Sequence, residues 1–105
     1  MASINTGMPR ISRDKDLAVT GHGCSAVAPC IATATSVFIN GIRVARPPDP
    51  LVPHTLPVGP FCLFHFATIN SGSFSVFAQG IPVARVGDSA DFGAVIQGSN
   101  NVFAG

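Results

Sequence analysis

Three histidines and three cysteines are the first candidates in this 105-residue chain for side chains that bind a metal ion or attack a substrate. The uncharged segment from Val52 to Phe66 contains a Cys62-x-x-His65 pair, and seven residues separate His54 from Cys62. Zinc binds imidazole nitrogen and thiolate sulfur, and a cysteine activated by a histidine is a nucleophile. Spacing alone leaves a third alternative open, a buried histidine that only hydrogen-bonds to a backbone carbonyl.

The composition predicts an all-β protein. The chain has no glutamate, one lysine and four leucines, against eleven valines, eight isoleucines, eight phenylalanines, eleven glycines and nine prolines. Such residues favour short strands and turns over helices, and the length suits one compact domain. Charged residues make up 10% of the chain and the net charge is +1, so there is no basic stripe for a nucleic acid. We expect a neutral surface, or one partly covered by a partner.

The N-terminal sequence predicts where the protein is made. "MASINTGMPRISRDKD" lacks the apolar region of a secretory signal. No run approaches the roughly 20 apolar residues that a membrane helix needs. We therefore expect synthesis in the cytoplasm without a signal peptide, and any export by another route.

An internal repeat supplies the elements that would position the histidines and cysteines. Ser36 to Asp49 matches Ser75 to Asp88 at an offset of 39 residues, with nine of fourteen positions identical. Each copy alternates apolar residues around a two-residue turn, Asn40-Gly41 or Gln79-Gly80, which predicts a β-hairpin. A partial copy, Gly98 to Gly105, ends the chain, and "MPRISRD" resembles the end of a copy. Because a hairpin cannot bury its own apolar face, roughly three copies predict a pseudo-threefold object.

The repeats resemble those of PAAR proteins, named for a Pro-Ala-Ala-Arg motif. Here the motif is Arg43-Val44-Ala45-Arg46 in one copy and Pro82-Val83-Ala84-Arg85 in the other. The resemblance covers residues 8 to 105 and implies a single PAAR domain over 1–105, with residues 1–7 as a short N-terminal extension. It also implies a small cone of β-hairpins with zinc near the tip.

The family resemblance implies an architectural function and no enzymatic activity. PAAR proteins cap and sharpen the trimeric spike of a contractile injection machine, either a type VI secretion system or a phage tail. The expected partner is a VgrG-like or phage central spike protein, with one chain per trimer. Transient contact with a target membrane and attachment of effector proteins are further expectations, and the protein would lie at the tip of the apparatus.

The resemblance also implies a ligand set. Family members use three histidines and one cysteine, which here implies one structural zinc ion bound by His22, His54, Cys62 and His65. Cys24, two residues after His22, is the alternative thiol.

The remaining cysteines and the third segment between hairpins complete the expectations. Cys24 and Cys30 are otherwise expected to be small buried thiols, because a disulfide between them is unfavourable in a reducing cytosol. Many relatives carry Cys or His in the third segment, "DSADFGA", where this chain has Phe92. We therefore expect the segment around His54 to supply three ligands.

Two other functions compete with the spike tip. One is a hydrolase in which Cys62 is the nucleophile, His65 or His54 the base, and Asp88 or Asp91 the group that orients it. No nucleophile elbow or oxyanion loop accompanies these residues in the sequence. The other is a stand-alone, zinc-stabilised β adaptor that carries effectors.

Overall fold

The computed structural model describes residues 8–105, which form strands and turns without a helix. The all-β prediction is therefore confirmed. The predicted N-terminal extension, residues 1–7, lies outside the described residues. Residues 8–105 contain no helix that is long and apolar enough to cross a membrane.

Within residues 8–105, short antiparallel strands make up one four-stranded sheet and three separate two-stranded hairpins. The strands are β1 (Leu17–Val19), β2 (Val27–Pro29), β3 (Phe38–Ile39), β4 (Ile42–Arg43), β5 (His54–Val58), β6 (Phe61–His65), β7 (Phe77–Ala78), β8 (Ile81–Pro82), β9 (Ser89–Ala90) and β10 (Gly93–Val95). The sheet has the order β2-β1-β10-β9, and the hairpins are β3–β4, β5–β6 and β7–β8. The sheet thus joins the first segment between hairpins to the third.

The β3–β4 and β7–β8 hairpins are the two full copies of the repeat. In the turn Asn40-Gly41 the φ angles are 56° and 78°, and in Gln79-Gly80 they are 52° and 80°. Positive φ at both central residues is typical of the type I′ turn that matches the twist of a hairpin. The predicted two-residue turns are therefore confirmed.

The two ends of the described chain form an antiparallel pair that matches the two repeat hairpins, and we call this pair a hairpin as well. Arg10 pairs with Phe103 in an antiparallel bridge. One backbone hydrogen bond recurs in all three: Ile11 N to Val102 O at 2.9 Å, Val44 N to Val37 O at 3.1 Å, and Val83 N to Val76 O at 3.0 Å. The partial copies predicted near the two ends of the sequence therefore complete each other.

A closed ring of backbone hydrogen bonds joins β3–β4, β7–β8 and the hairpin formed by the two ends of the described chain; β5–β6 is not part of it. The amide of Ser12 donates to the Ala84 carbonyl at 2.9 Å, Ala84 donates to Ala45 at 2.8 Å, and Ala45 donates to Ser12 at 3.0 Å. All three residues are fully buried, and only small side chains leave room for such an approach of three backbones. We call these bonds and the three hairpins they join the hairpin ring, and they confirm the predicted pseudo-threefold symmetry.

An Arg-x-x-Asp turn follows each member of the ring. The three turns are Arg13–Asp16, Arg46–Asp49 and Arg85–Asp88. In each, the arginine backbone amide donates to the aspartate Oδ2, at 2.8, 2.9 and 2.7 Å respectively. The aspartate amide donates back to the arginine carbonyl in every case. These turns reverse the chain at the start of each segment between hairpins.

The core consists of two clusters of mostly small side chains. The first packs inside the hairpin ring and contains Ile11, Ala34, Val44, Ala78, Val83 and Ala104. The second lies under the four-stranded sheet and contains Ala18, Ala28, Cys30, Ala45, Leu51, Ile69, Ala84, Ala90 and Val95. With so many alanines, the core of the described residues contains little apolar volume. Backbone hydrogen bonds and polar turns therefore contribute much of what holds the strands together.

Candidate metal centre

Two of the predicted ligands lie opposite each other in the β5–β6 hairpin. His54 begins β5, His65 ends β6, and the two form one pair of the antiparallel register. Side chains of directly paired residues lie on the same face of a hairpin. The apolar segment Val52 to Phe66 is therefore an enlarged hairpin that presents two imidazoles side by side.

Two glycines allow the other two groups of the site to reach this hairpin. His22 follows Gly21 in the loop after β1, and Asp91 precedes Gly93 in the turn between β9 and β10. A Cβ at Gly21 would lie 2.2 Å from the Phe92 carbonyl oxygen, and one at Gly93 would lie 2.2 Å from the Val19 carbonyl oxygen. The two backbones pack directly against each other, which places His22 and Asp91 side by side.

The three imidazoles converge on the carboxylate of Asp91. Its Oδ2 is 2.8 Å from Nε2 of His22 and 2.7 Å from Nε2 of His54, and its Oδ1 is 2.9 Å from Nε2 of His65. The Asp91 side chain is only 1% exposed. We call this cluster, together with the β5–β6 hairpin, the metal end of the molecule.

Hydrogen bonds to backbone carbonyls fix the tautomer of two of the rings. Nδ1 of His22 lies 2.9 Å from the Gly23 carbonyl oxygen, and Nδ1 of His54 lies 2.9 Å from that of Val52. Because a carbonyl oxygen only accepts, each Nδ1 carries a proton, and in a neutral ring Nε2 then presents a lone pair. That lone pair faces an ionised carboxylate, which also only accepts. Such a contact needs a positive charge, either a second proton on the ring or a metal ion.

The charges in the cluster shift two pKa values. The hydrogen bond from His22 to the Gly23 carbonyl is the largest cause that raises the pKa of His22, and Asp91 adds to it, while burial acts in the opposite direction. Burial would raise the pKa of Asp91, but hydrogen bonds from His65, His54 and His22 outweigh it and lower that pKa below its ordinary value. Asp91 is therefore a carboxylate at neutral pH, as a metal ligand must be.

The four side chains fit a metal ion. Each offers one donor atom, a ring nitrogen or a carboxylate oxygen, and these four atoms all lie within 4.8 Å of one another. Zinc accepts both histidine nitrogen and aspartate oxygen in four-coordinate sites. A ligating histidine usually donates its other ring N–H to a carbonyl or carboxylate, as His22 and His54 do. His22, His54, His65 and Asp91 are thus the residues that would hold the ion.

The structure differs from the sequence prediction at Cys62, which forms a disulfide with Cys24 and lies outside the metal cluster. The physical reason is the alternation of side chains along a strand. Cys62 and His65 belong to one continuous strand, and a separation of three residues places their side chains on opposite faces. A Cys-x-x-His pair needs a turn between the two residues if both are to bind the same metal ion. Cys24 likewise differs from the expected buried thiol.

The third segment between hairpins does supply a member of the cluster. Asp91, one residue before Phe92, is the group that sequence reasoning assigned only a possible orienting role in a hydrolase. Phe92 instead packs parallel to the His65 ring at a centroid distance of 6.2 Å. The expectation that the His54 segment alone supplies three ligands is not what the structure shows. The signal was an aspartate in a segment where only Cys or His was considered.

The PAAR motif family model matches residues 20–98 of the 105-residue chain. The chain belongs to the PAAR family. Membership supports a spike-tip or effector-adaptor role in type VI-like systems, and the PAAR motif family is structural rather than enzymatic. A comparison with curated proteins returns no match.

Neither Cys62, the nucleophile of the rival hydrolase hypothesis, nor Cys30 is a reactive free thiol in this PAAR protein. Cys62, the candidate nucleophile of the hydrolase, has its sulfur in the disulfide. Cys30 is a buried free thiol, as predicted, and it donates to the Arg13 carbonyl at 3.0 Å. Burial, with nearby aspartates, raises the pKa of Cys30 to about 12, which keeps it protonated and unreactive at neutral pH.

The β5–β6 hairpin of the PAAR domain is exposed and apolar beyond the metal cluster. Along β5–β6, the face that carries the histidines continues into Val58, Phe61 and Leu63, all exposed, and the opposite face carries Phe64, which is 78% exposed. The chain has no charged residue between Asp49 and Arg85. The hairpin is thus apolar on both faces.

Proposed function

We propose that this PAAR protein is the tip of a trimeric spike in a contractile injection machine, with one chain bound per trimer. The observation that carries the proposal is the closed hydrogen-bond ring at Ser12, Ala45 and Ala84. It gives one chain three quasi-equivalent sides. A trimeric β-structure ends in three equivalent sets of unpaired strand edges, and three matching sides can cover all of them by adding strands.

Equivalent phenylalanines on the hairpin ring support a threefold partner. Phe38 and Phe77 are 51% and 55% exposed, and Phe103 is half-buried. In the first hairpin the neighbours Val37 and Ile39 pack against the core, so alternation directs Phe38 away from it. Aromatic side chains are enriched in protein interfaces, and three at matching register positions suit a partner with three copies of one surface.

We assign the metal end a structural role, with one zinc ion as the expected occupant. His22, His54, His65 and Asp91 come from three segments that share no long strand pairing, and the alanine-rich core offers them little apolar volume. Four protein ligands leave no open position of the kind that a catalytic zinc keeps. A bound ion would therefore stiffen this end of the domain against mechanical load.

The apolar hairpin supports transient contact with a target membrane. A hairpin that docks on a protein usually presents one apolar face to its partner. Here Phe61 and Phe64 project from opposite faces of β6, and both are exposed. A lipid environment surrounds an inserted element on all sides. The role of β5–β6 is then to lead the spike into the membrane, with the metal cluster at its base.

Complex formation with a VgrG-like trimeric spike fragment tests the central proposal. We expect co-purification, with a mass that corresponds to one chain per trimer. The double variant Phe38→Asp, Phe77→Asp should lose the complex, whereas the matched control Phe64→Asp should keep it. Three chains per trimer, or no complex with any cognate spike, would show that the domain does not cap a trimer.

Membrane contact has a separate test because the chain has no tryptophan. The variant Phe61→Trp places a single indole on the apolar hairpin, and its emission should shift to shorter wavelength when neutral phosphatidylcholine vesicles are added. Phe38→Trp, on the hairpin ring, should give no shift. If both variants behave alike, the hairpin has no special affinity for lipid.

A further inference from the structure

The Cys24–Cys62 disulfide connects two elements that each carry a member of the metal cluster. Cys24 lies two residues after His22 in the loop between β1 and β2, and Cys62 lies three residues before His65 in β6. The bond joins positions 38 residues apart, with a Cα–Cα distance of 5.8 Å. Both cysteines are exposed, so reductants in solution can reach the bond.

Hydrogen bonds from Ser25 and packing of the His22 ring against His54 and His65, at centroid distances of 5.2 and 5.0 Å, are the other contacts of this loop with the hairpin that the described residues show. The β5–β6 hairpin is not part of the four-stranded sheet that contains β1 and β2. On the side of the hairpin that faces away from the histidines, Ser25 bonds to Thr55 through their hydroxyls at 2.9 Å, and the Thr55 amide donates to Ser25 Oγ at 3.1 Å. Ser25 and Cys24 therefore contact the hairpin on the side opposite the His54 and His65 imidazoles. Within residues 8–105, the disulfide is the one covalent bond between the loop and the hairpin.

We propose that Cys24 and Cys62 are positioning residues for the metal centre, and that their disulfide makes metal retention depend on redox state. This inference rests on the proposed metal site at His22, His54, His65 and Asp91. The disulfide fixes the loop that carries His22 against the strand that carries His65, so both imidazoles stay in place when the ion is absent. After reduction the loop can move away from the hairpin, and His22 then dissociates more easily from the metal ion.

The chemical step is a two-electron reduction. A water-soluble trialkylphosphine breaks the sulfur–sulfur bond and becomes the phosphine oxide, with its oxygen taken from water. Each cysteine sulfur gains one hydrogen, and both hydrogens come from the same water molecule. In a cell, a small-molecule or protein dithiol supplies the same two electrons and two hydrogens and itself becomes a disulfide.

The experiment measures the rate at which zinc leaves the full chain. Zinc-loaded protein, oxidised or treated with phosphine, is mixed with a chromogenic chelator in excess. We expect release to be about 10- to 100-fold faster from the reduced protein, the range typical when groups that orient metal ligands are removed. The double variant Cys24→Ser, Cys62→Ser should release zinc at the fast rate with or without phosphine.

A matched control separates this disulfide from thiol chemistry in general. Cys30→Ala removes the buried free thiol and should keep the full difference between oxidised and reduced protein. Thermal unfolding of each form, recorded beside the release rate, shows that the reduced protein remains folded. Equal release rates from folded oxidised and reduced protein would overturn the inference while leaving the metal site intact.

Two further outcomes distinguish failure of the inference from failure of the site. If oxidised protein binds no zinc, both the metal site and the positioning role are wrong. If cobalt-substituted protein develops a sulfur-to-cobalt charge-transfer absorption after reduction, a freed thiol has replaced a ligand, which contradicts positioning by the disulfide alone. Absence of that absorption, with faster release, is the expected result.

Discussion

In the hairpin ring the same hydrogen bonds recur three times, whereas the antiparallel pairs of the three segments between hairpins, β1–β2, β5–β6 and β9–β10, differ in length and in their side chains. Ser12, Ala45 and Ala84 occupy equivalent places, but β5–β6 is a separate two-stranded hairpin, whereas β1–β2 and β9–β10 join in one four-stranded sheet. The two complete hairpins of the ring take their shape from local turn geometry that each copy of the repeat carries with it. The metal end depends on distant residues that meet only when the ring is formed, so its stability should rely on additional bonds, from a metal ion and a disulfide.

Removal of the metal ion should separate the two regions most strongly. Zinc at about 1,000-fold above its dissociation constant should stabilise the domain by about 4 kcal/mol, and a chelator should abolish the gain. Amide hydrogen exchange should rise around His22 and along β5–β6 and change little at Ala45 and Ala84. Thermal unfolding with and without zinc measures the total effect.

Ligand variants locate that effect. His54→Ala should lose the zinc-dependent gain in stability, while Val58→Ala, on the same strand, should retain it. Equal stabilisation of both variants by zinc would place the ion elsewhere.

Overpacking should do the reverse and weaken the hairpin ring. Ala84→Leu adds volume at a fully buried position where three backbones meet, and we expect a loss of about 3 kcal/mol or more. Ala26→Leu, at an exposed position near the metal end, is the control. Denaturant unfolding should show the loss equally in zinc-loaded and zinc-free protein, since the ring underlies both regions. A loss of stability in only one of the two forms would mean that the metal end does not depend on the hairpin ring.

The sequence predicts the ring better than the metal end for a physical reason. Nine identical positions at an offset of 39 residues repeat the same local turn chemistry, and Asn40-Gly41 specifies its hairpin within a few residues. Three histidines in the segments between hairpins also identify most of the cluster. These features depend on local sequence, or on a repeat that transfers one local solution to the next copy.

The metal end was harder to predict because its details depend on long-range packing. Cys62 was assigned to the metal site from the family resemblance and its spacing to His65, but one strand runs through both residues and the cysteine forms a disulfide with Cys24. Asp91 reaches the histidines because two backbones approach each other closely at Gly21 and Gly93. No spacing rule in a single sequence shows that approach.

Glycine substitutions compare the two regions with one chemical change. Gly93→Ala should be severe, since its Cβ would lie 2.2 Å from the Val19 carbonyl oxygen. Gly41→Ala and Gly80→Ala have open space within 4 Å and φ angles of +78° and +80°, so each should cost only the left-handed conformation of alanine, about 1 kcal/mol. Denaturant unfolding of the single variants checks both claims. Unequal costs at Gly41 and Gly80 would show that the two hairpins are not energetically equivalent.

The smallest expected effect is the pH dependence of the zinc-free protein. A pKa of His22 that is raised from its ordinary 6.5 means that the folded state binds a proton more tightly than the unfolded state. The stabilisation is complete below pH 6.5 and is lost as pH rises through the raised value. Asp91, whose pKa is lowered, remains ionised throughout this range and adds no slope.

The zinc-loaded protein should show the opposite trend, because protons compete with the ion for imidazole nitrogen. Lowering the pH from about 8 to about 5.5 should therefore raise the melting temperature of zinc-free protein slightly and lower that of zinc-loaded protein. His22→Gln removes the titrating group and should flatten the zinc-free curve. Parallel curves for the two forms would mean that the ring nitrogen that binds the proton is not the one that binds the metal, which would contradict the shared use of Nε2 at the Asp91 carboxylate.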